Sequence, residues 1–221
     1  GFLSIAAALV LMSGGIDLSI TGTAVFSGIV AARIMLASDS PDGPSVMVVV
    51  LACAAALLVG LACGAVNAVL VAKVGITPML VTLGTMNLFT GIGIVLTKGS
   101  ALSGFPASFL AIGSGRLLGI PVPLLLFVLA TIILAFFLNK TKLGYKLCIY
   151  GSNPVASFFS AINNTKVVFT TYVMSGLISS IAGIIMVSRV NTAKADFGSS
   201  YGLQAVLVAV LGGVDPSGRS G

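Results

Sequence analysis

The chain has 221 residues, of which 57% are hydrophobic and 7% charged, with a mean hydropathy of +1.18. A soluble globular domain carries about 25% charged residues, so water is not the main solvent of this one. There is no His, Trp or Glu, which removes the side chains most used for proton transfer near neutral pH and much of the usual zinc chemistry, and argues against an enzyme. The net charge of +6 comes from eleven scattered basic residues, which form no continuous face for nucleic acid and act instead as orientation signals in a bilayer.

A membrane-spanning helix needs about 20 mostly apolar residues. In chain order the predicted segments are a partial span at Phe2 to Ser13, then Leu18 to Leu36, Val46 to Ala72, Met79 to Thr97, Ile120 to Leu138, Val167 to Ser188, and a final partial span at Gly202 to Gly213. That makes about seven segments, five of them complete, in an all-α polytopic transmembrane bundle forming one domain over 1–221. The runs lack the period-2 alternation of barrel strands. The chain opens in apolar sequence and stops in loop-like sequence, as expected of a fragment lacking helices at both ends. Cys53, Cys63 and Cys148 form neither a disulfide framework nor a CxxC pair, so neither metal nor cofactor is expected.

Lys140, Lys142, Lys146 and Lys166 cluster around one loop, whereas Ala37 to Ser45 carries Asp39 and Asp42 and no base. By the positive-inside rule residues 139–166 are cytoplasmic. Alternation then puts Lys73 and Arg219 inside, and 98–119 and 189–201 outside. Within the cytoplasmic segment, Pro154 can start a short helix carrying Phe158 and Phe159. Such a helix fits a groove on a partner domain, or equally lies on the lipid surface.

Two stretches echo each other: Gly14-Gly15-Ile16-Asp17-Leu18-Ser19 and Gly212-Gly213-Val214-Asp215-Pro216-Ser217 both read GG[IV]DxS after an apolar run. Transporters are often built from two related halves with helices broken at matching places. Paired glycines break a helix cheaply. Asp17 then caps the freed N–H groups of the next helix, or else makes a direct contact with substrate or partner. Gly60 and Gly64 form a GxxxG suited to close helix contact. Asn67, Thr82, Thr85, Asn87 and Phe89 supply the amide, hydroxyl and aromatic groups of a sugar path, although Thr82 and Thr85 can equally bond back to their own helix.

Taken together, Ser13 through Ser19, Asn67 through Val71-Ala72-Lys73 into Thr77-Pro78, Thr82-Leu83-Gly84-Thr85-Met86, Gly151-Ser152-Asn153-Pro154 and Gly212-Gly213 resemble the ribose/xylose-type permeases of bacterial ABC importers. The resemblance covers nearly the whole chain. It implies a bundle of about ten helices in the bacterial inner membrane, a homo- or heterodimer with a second permease subunit, a cytoplasmic ABC ATPase, a periplasmic sugar-binding protein, and a monosaccharide as cargo. The segment around Asn153, Pro154, Ala156, Phe158, Phe159 and Ala161 is similar to the ATPase-coupling loop of importer permeases, with Val155-Ala156-Ser157 in place of EAA and Ala161 in place of Gly. Where the family often has acids after Tyr201, this chain has Gly202 and Gln204.

A branched-chain amino-acid ABC permease is the nearest alternative. An ion-coupled secondary transporter is the other, but Asp17 and the terminal Asp215 are the acids near the spans, few for such a carrier. Neither a GxxxxGK[ST] phosphate loop nor a dinucleotide fingerprint is present.

Overall fold

The computed structural model describes residues 1–37, 45–198 and 200–214. In chain order its helices are α1 (Phe2–Leu11), α2 (Ile20–Leu36), α3 (Val46–Ala72), α4 (Pro78–Thr97), α5 (Ala107–Ser114), α6 (Val122–Lys140), α7 (Lys142–Ser152), α8 (Pro154–Phe159), α9 (Asn164–Val190) and α10 (Tyr201–Leu211). Four two-residue strands accompany them: β1 (Leu102–Ser103), β2 (Arg116–Leu117), β3 (Ile120–Pro121) and β4 (Thr192–Ala193). The chain is a polytopic membrane helix bundle. α3, α4, α6 and α9 are long and apolar enough to cross a membrane, since with no water in the hydrocarbon each span must satisfy its backbone internally. Asp39, Asp42, Asp215 and Arg219 lie outside the described residues.

α9 is the hub, with α1, α2, α3 and α5 packed on it. Its buried face carries Ser175, Gly176, Ser179, Ser180 and Gly183, and small residues at this spacing let backbones approach when lipid supplies no hydrophobic drive between helices. The GxxxG of α3 meets that face: a Cβ on Gly64 would lie 2.5 Å from the Tyr172 carbonyl oxygen and 2.9 Å from Val173 Cα. α2 fills the angle between α3, α9 and α4, and a Cβ at Gly22 would lie 2.8 Å from the Met86 carbonyl oxygen. α6 buries none of its residues and exposes Leu124, Leu129, Ile132, Ile133 and Phe136, as a helix facing lipid or another subunit does.

Four of the five spans expected to be complete are helices of spanning length, whereas the second, α2, has 17 residues and is shorter; the ends shift for local reasons. The second begins at Ile20 rather than Leu18 because Asp17 to Ser19 form a turn. The fifth begins at Val122 because Ile120–Pro121 pairs with Arg116–Leu117, with Leu118 (φ 52) and Gly119 (φ 83) making the two-residue left-handed turn that suits a twisted hairpin. Residues 98–119, expected as an outer loop, build a cap: β1 pairs with β4, and Ser188 Oγ on α9 accepts from Gly113 N (2.7 Å) and donates to the Phe109 carbonyl (2.6 Å). At the other end, α7 and α8 occupy the segment between α6 and α9. Lys73, Leu143 and Lys166 line one cavity of about 330 Å³ there, so the base after α3 lies at the same end of the bundle as the lysine-rich segment.

Candidate functional site

α1 ends at Leu11 and α2 begins at Ile20, and residues 12–19 form a short irregular crossing between them. Gly14 takes the left-handed conformation (φ 72), and Gly15 N donates to the Val10 carbonyl over 3.2 Å. This closure satisfies carbonyls that the end of α1 would otherwise leave free, and only glycine takes the left-handed position cheaply. Asp17 then organises the turn into α2. Its Oδ1 accepts from Ser19 N (2.9 Å) and Ser19 Oγ (2.6 Å), and its Oδ2 accepts from Ser175 Oγ (2.8 Å) on α9. Asn67 Nδ2 on α3 donates to Ser19 Oγ (2.7 Å), and Thr82 Oγ1 on α4 donates to the Ile16 carbonyl (3.2 Å). Every one of these side chains is at most 3% exposed. Three helices, α3, α4 and α9, are thus tied to one short crossing by bonds that hydrocarbon makes costly to break.

α10 ends in the same way. Gly213 is left-handed (φ 94) and Val214 N donates to the Ala209 carbonyl over 3.2 Å. α1 and α10 lie side by side, with Ala6, Ala7, Leu11, Ala205 and Ala209 in one apolar cluster, while Phe2, Leu3, Tyr201 and Gln204 line one cavity of about 520 Å³ near their first turns. The two GG[IV]D motifs therefore stop neighbouring helices. They do so one residue out of register, because the left-handed residue is the first glycine in one motif and the second in the other.

Of the residues singled out for a sugar path, the structure brings four to the flank of α2. Asn67 and Thr82 hold the crossing as described, Thr85 donates back to the Val81 carbonyl (3.0 Å), and Phe89 stacks on Phe26 with ring centroids 6.3 Å apart. All four are buried in this conformation. Asn87 lies apart, exposed on the opposite face of α4, beside Gly84 and Gly91, where an added Cβ would meet nothing within 4 Å.

The segment similar to a coupling loop forms its own structure. Asn153 Oδ1 accepts from Val155 N (3.0 Å) and Ala156 N (2.9 Å), capping α8 with Pro154 at its first position. Ser157 Oγ donates to Asn164 Oδ1 (2.7 Å) and Asn164 Nδ2 donates to the Pro154 carbonyl (3.1 Å), which fastens α8 to the first turn of α9. Phe158 and Phe159 are left 70% and 82% exposed. Ala161 is left-handed (φ 56), a conformation that explains why glycine suits this position. At the opposite end the ion pair Lys194–Asp196 (2.7 Å) is exposed, and the hydrogen bond from Lys194 holds the Asp196 carboxyl below the usual carboxylate range.

The family model for branched-chain amino acid transport system / permease component matches residues 1–219. The chain belongs to this permease family. Among curated proteins it is similar to the autoinducer 2 import system permease protein LsrD of Photorhabdus temperata, of Escherichia coli strain K12 and of Shigella flexneri, 32% identical to each over all of this chain. The chain spans 66% of the length of each of these relatives. No solved structure gives a significant match.

Two residues of this crossing were not singled out from sequence. Ser175 and Tyr172 sit on α9, where Ser175, Ser179 and Ser180 lie at helical spacing; the signal in the sequence was an unusually polar stripe within an apolar helix. Tyr172 Oη points at the crossing, 2.9 Å from where a Gly15 Cβ would stand.

Proposed function

We propose that this chain is the membrane-spanning permease subunit of an ATP-driven importer in a bacterial inner membrane, passing a monosaccharide-like substrate delivered by a periplasmic binding protein. The single observation that carries this reading is the family match over residues 1–219, joined to relatives whose names describe an import system permease. The subunit acts as a transport component without enzymatic chemistry of its own. A separate cytoplasmic ABC ATPase supplies the energy, and a second permease subunit, identical or related, completes the path.

The geometry supports a route for that energy. α8 offers Phe158 and Phe159 to a partner and is pinned through Asn164 to α9. α9 is a straight-through rod of 27 residues, about 40 Å long, that reaches Asp17 through Ser175. Movement imposed on α8 by the ATPase therefore arrives at the crossing between α1 and α2, and from there at Asn67 and Thr82. The substrate follows the outer face of α4, where Asn87 is the exposed amide, while Asn67, Thr82 and Phe89 set the position of α2 behind it. Asp17 acts chiefly as the organiser of the turn.

Uptake of a panel of radiolabelled pentoses, hexoses and branched-chain amino acids, by vesicles holding the full-length chain with its partners, tests the cargo. Accumulation of one sugar-like compound is expected. Accumulation of leucine or valine alone would replace the reading by that of an amino-acid permease.

A further inference from the structure

The crossing between α1 and α2 contains more acceptors than its neighbours satisfy. Among the described residues two buried side-chain atoms have no hydrogen-bond partner, Asn67 Oδ1 and Tyr172 Oη, and both belong to this one place. Asn67 is held to Ser19 by its Nδ2, which leaves its carbonyl oxygen free. Tyr172 Oη lies against Gly15. Both residues are 1% exposed, so bulk water does not serve them, and an unmet polar group in such a setting costs about 1–3 kcal/mol.

The charge is equally one-sided. Asp17 is 3% exposed and has no Lys or Arg partner among the described residues, where the ion pair is Lys194–Asp196. The start of α2 serves Oδ1 of Asp17 through Ser19 N. Against that stand the carboxylate itself and the C-terminal end of α1, whose macrodipole is negative. The carbonyls of Ser13 and Gly15 accept no hydrogen bond from the described residues. Gly14 is exposed, and an added Cβ there would meet nothing within 4 Å, so the crossing reaches the surface at this residue.

We propose that this crossing binds a monovalent metal cation of the sodium class, held by oxygens of Asp17, Asn67, Tyr172 and the carbonyls that follow α1. The donor set is all oxygen, the type hard cations prefer, and its single carboxylate is balanced by one positive charge; unwound backbone at a broken helix is a known setting for monovalent ions. The ion joins α1, α3 and α9 and neutralises the buried acid. It is a structural element of the permease, independent of the cargo and of how transport is driven.

The test is the thermal unfolding midpoint of the full-length chain in nanodiscs, titrated with NaCl, KCl or LiCl against choline chloride at constant ionic strength. One metal cation is expected to raise the midpoint by several degrees, in a saturable way that choline does not reproduce. Tyr172→Phe keeps the shape and removes one oxygen, and is expected to raise the half-saturating concentration by about tenfold while leaving the midpoint in choline near that of the native chain. Asp17→Asn is expected to abolish the cation response. Identical midpoints in all four salts would overturn the proposal, and would mean that water or a proton on Asp17 completes the crossing. A cation response that survives unchanged in both variants would overturn it as well, by placing the ion elsewhere. Neither outcome depends on transport activity.

Discussion

Asp17 accepts three hydrogen bonds while only 3% exposed. Asp17→Ala removes the acceptor and strands donors on Ser19 and Ser175, and is expected to lower stability by about 1–3 kcal/mol, measured by reversible unfolding in detergent. Asp17→Asn keeps an acceptor at the same place, so transport is expected to fall only modestly; complete loss with normal expression would mean that the charge itself is used. Asp17 and Asn67 were legible in the sequence because an acid or amide beside apolar spans is expensive enough to need a reason. Ser175 and Tyr172 were not, because a serine or tyrosine within a span has inexpensive local solutions, and only the third dimension shows that these two face the same crossing.

Long spans were legible because the hydrocarbon core imposes a length and a composition on them, and α3 runs from Val46 to Ala72 as its apolar run does. The cap made by α5 and the two small β pairs was hidden, since two-residue strands leave no periodic trace and their pairing joins residues as distant as Leu102 and Ala193. The contact of α3 with α9 makes the clearest demand on side-chain size. Gly64→Leu is expected to force the helices apart and cost about 1–3 kcal/mol or more, visible as lower resistance to unfolding by dodecyl sulfate. At the foot of α9, Ala161 holds a left-handed conformation that Ala161→Gly relieves, with an expected gain of about 0.5–1 kcal/mol in the same measurement. Phe158→Asp combined with Phe159→Asp changes only exposed side chains and is expected to abolish co-purification with the ATPase while membrane insertion is kept. Unaltered association would remove α8 as the docking element.

At the scale of the molecule, α1 packs against both α9 and α10, and α1 and α10 are each closed by a left-handed glycine. The echo between their ends was readable as a repeated string, but its register was not: the conformation chosen by the chain differs by one residue between the copies, which a string comparison cannot see. The membrane class was readable because composition alone excludes a water-soluble core. The proposed substrate path was less so, because the polar groups singled out for it divide between the buried flank of α2 and the exposed face of α4, a division that sequence spacing does not show. The energy source is the property that separates the proposed importer from its rival. It is tested most directly in proteoliposomes containing the full-length chain, its permease partner, the ATPase and the binding protein, by following uptake with ATP supplied on the ATPase side and no ion gradient. Uptake that requires ATP and the binding protein together is expected; uptake that persists without ATP and follows an imposed sodium or proton gradient would contradict the importer reading and make the chain a secondary transporter.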